Sequence, residues 1–169
     1  MQNNFESLLQ GYLSPDFSIR SQAENQLNAL LAKGNPYDLD MLFDSIEKAN
    51  NNQVKLFISL LIKKVVETCI TVQNQQSYCE YINLRKAKIV NIILNIQCEI
   101  KTLNILLVAL CQLIDLQISN SKTDNINNNP FFIDIFVYIF EFYNYNKNIP
   151  NNYTKTFQGL FVLFKVIKY

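Results

Sequence analysis

The sequence predicts an all-α chain, folded as a right-handed α-solenoid of about four antiparallel helix pairs. Three observations lead there. Apolar residues recur at helical spacing over almost the whole length, only 3 glycines and 4 prolines punctuate the 169 residues, and each break falls between two apolar stretches. With 49 % apolar and 17 % charged residues, the chain has the composition of one folded domain with a substantial core.

Reading each break as a turn gives eight helices. The first runs from about Asn3 to Leu13, with Phe5, Leu8, Leu9 and Tyr12 on one face, and stops at Ser14-Pro15-Asp16. Ser14 suits the N-cap of the next helix, Pro15 its first position, where the N–H has no intrahelical partner anyway, and Asp16 complements the positive helix start. The second helix, about Pro15 to Lys33, carries Ile19, Ala23, Leu27, Leu30 and Leu31 on one stripe, and Gly34-Asn35-Pro36 ends it. Two helices joined by so short a turn are antiparallel neighbours.

A third helix, about Pro36 to Lys48, presents Leu39, Leu42, Phe43 and Ile46, and turns at Asn50-Asn51-Asn52 into a fourth over about Gln53 to Val72. Further pairs cover about Cys79 to Ile96 with Ile100 to Ser119, and about Pro130 to Tyr143 with Asn152 to Tyr169. The polar stretches Asn120 to Asn129 and Asn144 to Asn152 read as solvated loops, because an apolar helix follows each. Second-helix starts near positions 15, 53, 100 and 152 recur every ~40–50 residues, the period of HEAT and armadillo repeats. One such pair cannot bury its apolar faces alone, so the pairs should stack into a single domain over 1–169.

Composition narrows the function. A net charge of +1, from 15 basic and 14 acidic residues, supplies no field that favours nucleic acid or anionic membranes. Cys69, Cys79, Cys98 and Cys111 form no C-x-x-C pair and read as reduced thiols in apolar surroundings, as in a cytosolic or nuclear protein. The polar opening Met1-Gln-Asn-Asn-Phe5-Glu is unlike a signal peptide. Leu103 to Ile118 and Phe131 to Tyr143 are the most membrane-like stretches, but Asn104, Gln112, Asp115, Asp134 and Glu141 interrupt them. Both fall short of the ~20 apolar residues a spanning helix needs, and both read as buried helices.

No histidine, glycine-rich phosphate loop, G-x-S-x-G or metal-ligand cluster is present, so neither catalysis nor a cofactor is expected. The carboxylates Asp38 with Asp40, Asp44 with Glu47, and Asp134 with Glu141 sit near helix starts or on polar faces, where solvation and the helix dipole account for them. Arg20 is expected to pair with Asp16 or Glu24 at i,i+4 spacing.

The stretch from Phe5 to Leu27 resembles the opening repeat of importin-β (karyopherin-β) nuclear transport receptors. Leu13, Ser14, Pro15, Asp16, Arg20, Ala23, Glu24 and Leu27 match that family's first helix ending in Leu-Ser-Pro-Asp and its second carrying Arg, Ala-Glu and Leu. Lys55, Ile58, Ser59, Leu61, Ile62, Lys63 and Lys64 match the second repeat in part, so the importin-like region spans about 3–72. HEAT-like pairs at about 79–119 and 130–169 follow in order and length.

The resemblance implies a receptor of the cytoplasm, nucleus and nuclear pore that binds the small GTPase Ran in its GTP state through its first repeats. Lys55, Lys63 and Lys64 are the residues it offers for that contact, and protein cargo and nuclear-pore proteins are the further partners it implies. A generic HEAT scaffold without Ran binding is the alternative, in which lysines merely solvate a helix face. The stretch Phe157 to Tyr169 is more apolar than the cap of a helical repeat array, which leads us to expect a fragment, a truncated gene product, or a protein that hides this end in an oligomer.

Overall fold

A computed structural model describes residues 2–32, 35, 37–71, 75–120 and 130–168. Among them the chain is all-helical and forms eight helices: α1 Gln2–Tyr12, α2 Phe17–Leu31, α3 Tyr37–Lys48, α4 Asn52–Thr71, α5 Gln75–Asn95, α6 Ile100–Asn120, α7 Pro130–Lys147 and α8 Tyr153–Lys168. All eight expected helices are present. They gather into two compact units, Met1–Val72 and Gln73–Tyr169.

In the first unit α1 packs on α2 and α3 on α4. Phe5, Leu8 and Leu9 of α1 are buried, as are Ala23, Leu27 and Leu31 of α2, Leu39, Leu42, Phe43 and Ile46 of α3, and Ile58, Ile62, Val65 and Val66 of α4. Ile19, expected on the buried stripe of α2, is half exposed at the start of that helix, and the side chain of Leu30 lies outside those described. Tyr12 leaves its own helix pair and stacks on Phe57 of α4, with ring centroids 3.6 Å apart.

Turn chemistry shapes the ends of these helices, with one correction. Asp16, not Ser14, is the N-cap of α2: its carboxylate accepts from the Ser18 N–H at 2.7 Å and the Ile19 N–H at 3.3 Å. The charged acceptor complements the positive helix end better than a hydroxyl, so Pro15 stays in the turn and Ser14 Oγ accepts from the Asp16 N–H at 3.2 Å. Asn51 stands before α4 as Asp16 does before α2, accepting from the Gln53 N–H at 2.7 Å, while Asn35, two residues before α3, accepts from that helix's first N–H, Tyr37, at 3.1 Å. Gly34 and Pro36, expected to end α2, lie outside the described residues, as do residues 121–129 of the first polar loop.

In the second unit α5 packs on α6 and α7 on α8, and each helix of one pair also meets both helices of the other. α6 is its centre, burying Leu103, Leu106, Leu107, Leu110, Leu113, Ile114 and Leu116 among others. At 21 residues it is the one described helix long and apolar enough to cross a membrane by length and composition, contrary to the reading of that stretch as too short. More than half of its most apolar window is buried inside the unit.

α7 runs four residues past its expected end, because the asparagines of this polar stretch bond back onto the helix. Asn146 is buried and donates to the Phe142 carbonyl at 2.8 Å, its own Oδ1 accepts from Asn152 at 2.5 Å, and Asn148 donates to the Asn144 carbonyl at 3.0 Å. The turn then passes through Asn151 at φ 63°, a left-handed conformation that asparagine tolerates. Where α7 crosses α8, Gly159 allows close approach: a methyl there would lie 3.0 Å from Phe142 Cδ1 and 3.3 Å from Tyr143 Cα.

Candidate functional site

The three lysines singled out by the resemblance do not converge. All lie on α4, where successive residues are about 100° apart, so Lys55 and Lys64 point to opposite sides. Lys55 is largely buried, at 8 % exposure. Lys63 is half exposed and pairs with Glu67 one turn on, at 3.4 Å. Lys64 is exposed and donates to Asn28 Oδ1 of α2 at 2.7 Å, so it ties the second helix of one pair to the second helix of the next. Ile58, beside them in the motif, is fully buried.

Arg20 also departs from expectation. Its guanidinium donates to the carbonyls of Ser14 at 3.0 Å and Pro15 at 3.4 Å and lies 5.8 Å from the centre of the Phe17 ring. Asp16 is already engaged by the helix N–H groups, and the unpaired turn carbonyls are the better acceptors within reach. The Leu13 to Leu27 motif is thus a self-bonded turn, with Phe17 left 74 % exposed at its edge.

Among the described residues no group of three or more His, Cys, Asp or Glu side chains could hold a metal ion. None of the four cysteines is in a disulfide; Cys69 and Cys111 are buried and Cys79 and Cys98 half buried. Burial raises the Cys111 thiol to about 11, helped by the nearby charge of Asp115 and partly opposed by Lys165; burial and then Glu80 also push Cys79 up. Both stay protonated at neutral pH and are poor nucleophiles. Asp38 and Asp40 stand in the first turn of α3, where the helix dipole favours them.

What the structure does bring together is a groove along α5 and α7. It is an open furrow of about 470 Å³, lined on one side by Ala87, Val90, Asn91 and Leu94 and on the other by Tyr138, Glu141, Phe142 and Tyr145. Each helix contributes positions i, i+3, i+4 and i+7, a single stripe extending about 10 Å along its axis. Val90 and Leu94 form a buried floor, whereas Tyr138 and Tyr145 stand 45 % and 71 % exposed at the rim. Below it Lys86 of α5 pairs with Asp134 of α7.

A second furrow follows α2 alone, past Phe17, Ser21, Gln22 and Asn25, and is more polar. The rest of α7 is less buried than expected, with Ile133, Val137 and Phe140 each more than two-fifths exposed on its outer side. Sequence periodicity missed the α5–α7 groove because Phe131 to Tyr143, broken only by Asp134 and Glu141, reads as one buried helix. The available signal was the polar-rimmed aromatic spacing Tyr138, Glu141 and Tyr145.

No family model matches this sequence, and neither a curated protein nor a solved structure matches the chain.

Proposed function

We propose that this chain is a non-catalytic protein-interaction scaffold, a right-handed α-solenoid of about four HEAT-like helix pairs whose first two pairs correspond to the Ran-facing start of an importin-β-type receptor. The observation that carries the scaffold reading is the pairing of sequence neighbours, α1 with α2, α3 with α4, α5 with α6 and α7 with α8. In the second unit it is supported by the side-by-side packing of α5 with α7 and of α6 with α8. A stack of this kind offers long helix faces, which suits recognition of another folded chain.

The Ran reading rests on the motif from Leu13 to Leu27 and on Lys55, Lys63 and Lys64, of which Lys63 and Lys64 are the more exposed. Protein cargo and nuclear-pore proteins would be met by other parts of the scaffold, in the cytoplasm, the nucleus and at the pore. A pull-down of the full chain with Ran locked in its GTP or GDP form tests it. Selective capture of the GTP form, weakened by Lys63→Glu with Lys64→Glu, is the expected result. Absence of capture at micromolar concentration would leave the generic scaffold, whose helix-pair turns share capping chemistry with importins and nothing more.

A further inference from the structure

Lys63 and Lys64 are neighbours on α4, yet their charges are met in different ways. The Lys63 ammonium lies 3.4 Å from the Glu67 carboxylate one turn on, so the helix itself answers its charge. The Lys64 ammonium instead donates to the side-chain oxygen of Asn28 on α2 at 2.7 Å, across 36 residues of chain. An amide oxygen takes one of the three ammonium N–H donors and neutralises none of the charge. Among the described residues no carboxylate pairs with Lys64. Lys64 is exposed and Asn28 half-buried, so the bond fixes the end of a long side chain at the surface where α2 meets α4. A solvated bond of this kind adds little to stability, because water replaces it when it breaks.

From this we infer that Asn28 is a positioning residue: it holds the Lys64 ammonium in place for a carboxylate on an acidic partner protein. The inference rests on the Ran reading, in which Lys64 is a contact, and it extends that contact from α4 onto α2. A lysine loses rotamer freedom when a partner immobilises it, and one already held in the free chain loses less on binding. Two N–H donors and the whole positive charge remain available on Lys64, which is what an incoming carboxylate requires. Lys63 has a carboxylate of its own to share or release first, so Lys64 ranks above it as the contact.

The test is a binding titration of the full chain against Ran locked in its GTP form. Asn28→Ala should weaken capture about three- to tenfold, the effect of freeing one long side chain, and leave the thermal midpoint of the chain where it was. In a Lys64→Met background the same substitution should change nothing further, whereas in a Lys63→Met background it should keep its full effect. Asn28→Asp, of equal size but bearing a charge that neutralises Lys64, should weaken capture at least as much as Asn28→Ala, which a packing role for Asn28 would not produce. Unchanged capture by Asn28→Ala, or an effect that persists without Lys64, would overturn the inference and leave the Ran reading standing. Absence of capture by the unsubstituted chain would overturn the Ran reading and the inference with it.

Discussion

The two units keep their polar groups satisfied by different means. In the first, hydrogen bonds stay mostly within a turn: Asp16 caps Ser18 and Ile19, Arg20 reaches back to Ser14, and Asn35 and Asn51 accept from the residues two positions on. In the second, local bonds such as Asn146 to Phe142 are joined by several that cross between helices. Gln117 of α6 donates to the Cys79 carbonyl at 2.5 Å, and Gln158 of α8 donates to the Ile93 and Ile96 carbonyls at 2.8 and 3.1 Å, closing the C-terminal end of α5. Local bonds define where each helix begins, whereas the long-range ones fix which helix lies beside which. The difference teaches that the second unit is held in register by polar side chains as well as by its apolar core.

The largest expected effect lies at the centre of the second unit. Leu113 is fully buried in α6, so Leu113→Ala should cost about 2–5 kcal/mol in chemical denaturation, through lost burial and the cavity left behind. Gly159→Ala comes next. The added methyl meets both a ring and the backbone of α7, and because a helix backbone cannot yield atom by atom, we expect a loss of about 1–3 kcal/mol despite alanine's better helix propensity.

The comparison itself is sharpened by a matched pair of cap deletions. Gln158→Ala and Asp16→Ala should each cost about 1 kcal/mol, but through different routes. Hydrogen exchange should quicken around residues 92–96, far from the substitution, in the first variant, and only at the start of α2 in the second. Ser14→Ala, which removes a longer bond from an exposed turn, should change stability by less than Asp16→Ala. If Gln158→Ala frays only α8, the long-range role fails.

The smallest effect is a pH dependence. Cys111 has its thiol raised from 9.0 to about 11 in the fold, so its contribution to stability is intact below pH 9 and is lost as pH rises through about 11. Iodoacetamide at pH 8 should therefore label Cys111 slowly in the native chain and readily after denaturation.

This contrast also explains what could be read from sequence. Helix number and the pairing of neighbours follow from the spacing of residues such as Leu39, Leu42, Phe43 and Ile46, which are all buried as expected. Boundaries slipped where a polar residue had two uses. Asp16 took the cap assigned to Ser14, and Asn146 extended a helix where a loop seemed to begin. Partners 37–65 residues apart, such as Gln117 with Cys79 or Gln158 with Ile93, leave no local trace in the chain. The same blindness hid the α5–α7 groove and the burial of most of Lys55, since burial of a lysine depends on which helices surround it.

The side-by-side packing of α5 and α7 underlies both the arrangement of the second unit and the groove, and zero-length carbodiimide cross-linking of the full chain tests it most directly. The account predicts, by mass spectrometry, an amide joining Lys86 to Asp134 alongside the Lys63 to Glu67 link within α4 that serves as the internal control. Recovery of the control link with Lys86 joined only to other carboxylates, or to none, would contradict it.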